Sequence, residues 1–95
     1  MSPSREDLLD LVEETYGVRH PDFQSIREEY RRISDGSCDE NVKSDARILL
    51  VGLKVMQNAY YDWEDMREYE RKQSINAVEI TSNMTKSTLR KYGIE

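Results

Sequence analysis

Residues with the chemistry needed for catalysis are few in this sequence. The chain has one histidine, His20, and one cysteine, Cys38, and they fall in separate predicted loops. Nucleophilic catalysis requires a base next to the nucleophile, so this pair does not predict a catalytic dyad. We interpret His20, which precedes Pro21 at a helix start, as a cap or loop residue, and Cys38 as a dispensable residue of a polar turn. We therefore expect a protein that is not an enzyme.

Metal-ligand and phosphate-binding patterns are also missing. The sequence has no paired cysteines and no H-E-x-x-H or E-x-x-H spacing. The segment 35–40, DGSCDE, gathers three carboxylates without the spacing of an EF-hand loop, which favours a turn and helix cap. The four glycines stand alone, so no glycine-rich phosphate loop is predicted. We expect no metal, no cofactor and no small-molecule substrate.

The composition bounds the fold and the partners. A chain of 95 residues, 37% hydrophobic and 35% charged, predicts one domain with a small core. Its net charge of −5 argues against nonspecific binding of the whole chain to nucleic acid or to an anionic membrane. The charge is uneven, because residues 1–70 carry 9 Lys and Arg against 17 Asp and Glu, whereas residues 71–95 carry 5 against 2. This asymmetry indicates a basic C-terminus.

Three features predict a cytoplasmic, or otherwise intracellular, protein. A single cysteine excludes an intramolecular disulfide, and the N-terminal residues lack the pattern of a signal peptide. The longest apolar run, 48–53, is far shorter than the about 20 residues that span a bilayer. We expect no contact with membranes.

Two short amphipathic helices are predicted in the N-terminal third. The first runs over about 4–16, where Ser4 and Asp7 form a capping box and Gly17 provides a left-handed stop. The second begins near Pro21, at the first helical position, and ends at Gly36. Each has apolar residues at helical spacing, and each requires a larger element to pack against.

The larger element is a predicted central helix over about 38–73, preceded by a capping box of Ser37 and Glu40. Apolar residues recur at three- and four-residue intervals along one seam, but others lie off it, so the middle of the helix is apolar on most sides. Such a helix is buried. Two short helices cannot cover it, so a fourth helix, a second subunit or another protein must do so. Gly52 is either the site of a close helix crossing or a tolerated substitution.

The central helix also provides the predicted protein interface. Tyr60 and Tyr61 are adjacent, and successive helical residues point about 100° apart, so at least one of them lies at a boundary or an interface. Core packing and an interface role both remain open for this aromatic cluster. The predicted interface comprises Leu49, Leu53, Met56, Tyr60, Tyr61 and Trp63.

The segment 78–92 resembles a degenerate helix-turn-helix. Val78, Met84, Leu89 and Tyr92 stand where the packing residues of that motif stand, and Asn83 takes the place of the usual turn glycine. Glu79 departs from the motif, where a small residue normally allows the helices to approach. The resemblance implies nucleic-acid contact by Lys86, Ser87, Thr88, Arg90 and Lys91. The alternatives are a C-terminal helix that folds back on the bundle or a frayed basic tail.

Together these patterns predict an all-α protein. We expect a small helical bundle with one long central helix in residues 1–73 and a short basic helical element in residues 74–95. The predicted function is a non-enzymatic protein-binding or assembly module that self-associates through the central helix. The alternative is a DNA-associated adaptor or regulator that uses residues 78–92.

Overall fold

The computed structural model describes residues 2–93, and these residues form an all-α bundle. The elements in chain order are α1 (Arg5–Tyr16), α2 (Phe23–Asp35), α3 (Glu40–Asp62), a 3-10 turn (Trp63–Asp65) and α4 (Glu68–Arg90). The bundle is elongated, with extents of 45 × 20 × 20 Å. The predicted fold class, a helical bundle with a long central helix, is confirmed.

Helix α3 occupies the centre of the bundle. It packs against α2 on one side and against α4 on the other, while α1 lies mainly on α4. A single apolar core runs between the helices, formed by Leu8, Val12, Phe23, Tyr30, Leu49, Leu53, Met56, Ala59, Trp63, Val78 and Leu89. No helix among the described residues combines the length and apolar character that crossing a bilayer requires.

Local signals set both ends of α1, as predicted. The Ser4 hydroxyl accepts a hydrogen bond from the Asp7 amide at 3.3 Å, and the Ser4 amide donates to the Asp7 carboxylate at 2.8 Å. These bonds satisfy amides that a helix start leaves without partners. Gly17 then ends the helix with φ of 83°, a left-handed conformation that glycine adopts without steric cost.

Helices α2 and α3 each begin slightly later than predicted, because an aspartate caps each of them. Asp22 accepts a hydrogen bond from the Ser25 amide at 3.2 Å, so Pro21 lies outside α2. Asp39 accepts from the Asn41 amide at 2.8 Å and caps α3. The predicted capping box of Ser37 and Glu40 was wrong. Gly36 follows the last residue of α2, as predicted.

The predicted continuation of the central helix to residue 73 was also wrong. Helix α3 ends at Asp62, and Met66 is extended, with ψ of 145°. The Arg71 guanidinium lies 5.5 Å above the Trp63 ring, and its Nε donates to the Trp63 carbonyl at 2.9 Å. The sequence places charge pairs at helical spacing after Trp63, Glu64 with Arg67 and Glu68 with Lys72, but such pairs contribute only about 0.2 to 0.5 kcal/mol each. Burial of one valine or leucine contributes about 1.5 to 3 kcal/mol, which favours a break that lets α4 fold back.

Residues after the break form one long helix rather than two short ones. The predicted turn at Asn83 does not form, because α4 runs without interruption from Glu68 to Arg90. Its buried face is continuous through Val78, Ser82, Thr85 and Leu89, whose spacings of four, three and four keep one side of a single helix against the bundle. A turn at Asn83 would divide this face. The fourth helix that the apolar centre of α3 requires is therefore α4.

Candidate functional site

Most of the predicted interface residues lie in the core of this chain. Leu49, Leu53 and Met56 are fully buried, and Trp63 is 2% exposed. Within this chain α2 and α4 pack on α3, so these side chains belong to the core of the bundle. Tyr61 is 64% exposed, so it alone of the six is a fully surface residue.

The aromatic cluster forms one end of the contact between α2 and α3. The Phe23 ring meets the Tyr60 and Tyr61 rings edge to face, at centroid distances of 5.3 and 5.9 Å. His20 Nδ1 lies 2.6 Å from the Tyr60 hydroxyl, and the Arg5 guanidinium lies 5.2 Å from the centre of the Tyr60 ring. Tyr60 therefore joins the loop before α2 to α3, while Tyr61 extends to the surface. His20 is a loop residue, one of the two predicted alternatives.

An apolar groove runs between α3 and α4 on the outer surface. It has a volume of about 260 Å³, and most of the surface that lines it is apolar. Val51 is 64% exposed and Met84 is 50% exposed, although both are large apolar residues. Ile80, one turn before Met84 on α4, is 62% exposed. The groove is lined by Ser44, Arg47, Ile48, Val51, Gly52, Thr81 and Met84.

Gly52 brings the two helices of this groove close together. A methyl group at Gly52 would stand 2.8 Å from Thr85 Oγ1 and 2.9 Å from Thr81 Cγ2, closer than real contacts allow. Of the two predicted roles for Gly52, the close crossing is confirmed. Because the residues at the crossing are small, the larger side chains of Ile48, Val51 and Met84 border a concave surface.

A basic cleft lies on the other side of α3, against α2. It has a volume of about 350 Å³ and is lined by Arg27, Arg31, Leu50, Lys54, Gln57 and Asn58. Within residues 2–93, none of its three cations forms a salt bridge. The Arg27 guanidinium instead donates to the Gln57 side-chain carbonyl, which fixes its position across the cleft.

The sequence analysis missed the basic cleft because its cations belong to two helices within the acidic part of the chain. Residues 1–70 have an excess of carboxylates, which conceals a local positive surface. One signal was present, since Arg27 and Arg31 are spaced i,i+4 and Arg47 and Lys54 are two turns apart. Only the packing of α2 on α3 brings Arg27, Arg31 and Lys54 to one cleft.

Three of the five C-terminal residues predicted to contact nucleic acid instead bond to other residues of the bundle. Lys86 pairs with Glu14 of α1, and Lys91 Nζ lies 3.3 Å from the Asp45 carboxylate of α3. Thr88 is buried, and its hydroxyl donates to the Met84 carbonyl at 2.8 Å. Of the five predicted contacts, Ser87 and Arg90 remain exposed without such pairs among residues 2–93.

Asp45 holds the residues that follow α4 against α3. The Tyr92 hydroxyl donates to Asp45 Oδ2 at 2.8 Å, and this bond, together with Lys91, holds the pKa of Asp45 below its usual value. This arrangement matches the predicted alternative in which the C-terminal helix folds back on the bundle. Helix α4 also crosses the predicted boundary at residue 73 and packs on both α1 and α3.

Metal ligands do not converge in the described part of the chain. Across residues 2–93, no three His, Cys, Asp or Glu side chains are placed to hold a metal ion. Asp39, from the acidic segment 35–40, caps α3, and Cys38 is an exposed free thiol in the same turn. The predicted turn and helix cap is confirmed for this segment.

Comparisons with known proteins give no relatives from which a function would follow. No protein-family model matches this chain, and neither the curated proteins nor the solved structures give a match. The two surfaces beside α3, the apolar groove and the basic cleft, are therefore the candidate functional sites.

Proposed function

We propose that this protein is a non-enzymatic protein-binding module that holds an amphipathic helix of another protein in the apolar groove between α3 and α4. The observation that carries the proposal is the exposure of Val51, Ile80 and Met84, each at least half exposed, on the two helices that form the groove. Exposed apolar side chains that cluster in this way are typical of protein interaction sites.

The dimensions of the groove favour a helix over a small molecule. Its 260 Å³ is smaller than the about 300 to 1,000 Å³ typical of small-molecule sites. Helices that bind in grooves insert anchor side chains at spacings of three and four residues. Ile48 and Val51 line the α3 side of the groove and Met84 lines the α4 side, so such an anchor would rest between these side chains, above the close crossing at Gly52. Met84 is flexible enough to adapt to different anchors.

Self-association requires a different surface from the one predicted. The seam of Leu49, Leu53 and Met56 is filled by helices of the same chain, so a second copy has access only to the outer face of α3. Nucleic-acid binding by residues 78–92 has less support than protein binding, because Lys86 and Lys91 are paired with carboxylates.

The test uses fluorescent, covalently stapled helical peptides of about five turns, or about 18 residues, with a leucine stripe and glutamine on both flanks. Binding is measured by fluorescence anisotropy. We expect Val51→Asp or Met84→Asp to weaken binding of this peptide by tenfold or more, because each places a charge in the apolar groove. Val18→Asp is the matched control, since Val18 is 51% exposed in the loop after α1 and does not line the groove.

Light scattering on the same variants shows whether the groove binds a helix of another protein or a second copy of this chain. We expect the unmodified protein to remain a monomer at the concentrations that bind the peptide. A dimer that Val51→Asp dissociates would overturn the proposal in favour of a second copy. Binding that all three variants leave unchanged, or a failure of the peptide to bind, would exclude the groove as the site.

A further inference from the structure

We infer that the helix held in the groove is acidic along one side, and that its carboxylates bind the basic cleft between α2 and α3. This inference rests on the proposed function and adds the chemistry of the partner. It assigns to Arg27, Arg31 and Lys54, with Arg47, the selection of an acidic amphipathic helix.

The groove and the cleft are adjacent because they share the outer ridge of α3. Arg47 lines the apolar groove and Lys54 lines the basic cleft. Val51 lies between them, four residues after Arg47 and three residues before Lys54, so these side chains are neighbours on the helix surface. Packed helices are about 8 to 10 Å apart, and a helix with its side chains is about 10 to 12 Å across. A helix seated in the groove therefore overhangs this ridge.

The cations on this side have no carboxylate partner within the described chain. Across residues 2–93, Arg27, Arg31, Arg47 and Lys54 form no salt bridge, although the protein carries a net charge of −5. By contrast, Arg19 pairs with both Glu6 and Asp10. Unpaired guanidinium groups bind carboxylates with two parallel hydrogen bonds, and this geometry is specific as well as favourable.

The cleft also has features that strengthen charge pairing. Leu50 contributes an apolar wall, and Gln57 and Asn58 add amide groups able to donate hydrogen bonds. Arg27 is already held by Gln57 and by Gln24, at 3.5 Å from the latter, so less side-chain freedom is lost when it binds. An acidic residue of the partner thus meets a surface that is partly preorganised.

The alternatives fit this surface less well. A second copy that docks through the outer ridge of α3 offers the cations no carboxylate from that ridge, because α3 has no acidic residue between Arg47 and Asn58. Nucleic-acid binding depends on neutralising many phosphates, and this surface offers only the four cations named above among the described residues. A short helix with a few carboxylates fits the size of the cleft, and its negative charge is complementary to the cations there.

The experiment compares three stapled peptides that have the same leucine stripe but carry Glu, Gln or Lys along one flank. Binding to the full chain is followed by fluorescence anisotropy at low and high salt. We expect the Glu peptide to bind about tenfold more tightly than the Gln peptide at low salt, and the Lys peptide to bind most weakly. The advantage of the Glu peptide is expected to fall in about 1 M salt, where the Debye length is only about 3 Å.

Charge reversal then assigns the preference to the cleft. In Arg31→Glu/Lys54→Glu, we expect the order of the Glu and Lys peptides to invert while the affinity for the Gln peptide stays within about twofold. Arg32→Glu is the control, because Arg32 is an exposed arginine of α2 that does not line the cleft. Circular dichroism melting of each variant checks that the bundle is intact.

The outcomes separate this inference from the proposed function. If the Gln peptide binds and depends on Val51, but the Glu peptide binds no better, the proposed function stands and the acidic partner is excluded. If no peptide binds, the proposed function itself fails. If a fluorescent single-stranded oligonucleotide binds more tightly than the Glu peptide and loses affinity in Arg31→Glu/Lys54→Glu, the cleft binds nucleic acid and the inference is overturned.

Discussion

The two sides of α3 are built from different kinds of side chain. On the α4 side, Gly52 faces Thr81 and Thr85 at a distance that leaves no room for a methyl group. On the α2 side, long polar side chains such as Arg27 and Gln57 cross between the helices, and a hydrogen bond joins them. The same helix thus makes one contact through small residues and the other through extended ones.

This difference determines what each side tolerates. Close contact between small residues is sensitive to added volume, because a packed interior has few voids to accept it. Contacts between long polar side chains are sensitive to charge and salt, because their ends remain in water. We therefore expect the α4 side to respond to changes in size and the α2 side to changes in charge.

The largest effect is expected from Leu53→Ala, which removes core packing that the two sides share. Leu53 is fully buried in the centre of α3, and truncation of such a leucine lowers the free energy of unfolding by about 2 to 5 kcal/mol. Urea denaturation followed by circular dichroism measures the change. The matched control is Val51→Ala on the outer ridge, which we expect to change stability by no more than about 0.5 kcal/mol. Equal losses at both positions would show that the inner and outer faces are misassigned.

A smaller loss is expected from Gly52→Ala, which tests the α4 side alone. Alanine favours a helix over glycine by about 1 kcal/mol, but the new methyl group would press on Thr81 and Thr85. We expect the cost of overpacking to exceed the gain in helix propensity, so that the free energy of unfolding falls by about 1 to 2 kcal/mol.

Removing a neighbour of Gly52 provides the control for that prediction. The Thr85 hydroxyl is buried without a hydrogen-bond partner, so Thr85→Ala removes one of the two close atoms without breaking a hydrogen bond in the described structure. In that background the penalty of Gly52→Ala should shrink. A gain in stability from Gly52→Ala in the unmodified chain would mean that the helices separate easily and that the crossing is not tight.

The smallest effect is expected from Arg31→Gln and Lys54→Gln, which remove charge from the α2 side. Because neither side chain forms a salt bridge within residues 2–93, we expect each change to alter the free energy of unfolding by no more than about 0.5 kcal/mol. Denaturation midpoints at low and high salt measure this. A loss above about 1 kcal/mol for either variant would indicate that the cleft is a structural element and weaken its role in binding.

Local sequence patterns determined the first half of the fold. The capping box of Ser4 and Asp7 and the left-handed Gly17 act within one or two helical turns, so their outcome depends little on the rest of the chain. The seam through Leu49, Leu53 and Met56 was also readable, because an apolar stripe at helical spacing has to be buried. The pattern did not specify which helices bury this seam.

Long-range packing decided the second half. The charge pairs after Trp63 favour a continuous helix locally, yet the chain breaks there, because the fold-back buries Val78 and Leu89 against residues distant in sequence. The candidate surface follows the same rule, since Val51 and Met84 become neighbours only through the hairpin of α3 and α4, and Arg31 and Lys54 only through the packing of α2 on α3. Helix caps depend on contacts within about four residues, whereas the break after Asp62 and the grooves depend on how whole helices pack.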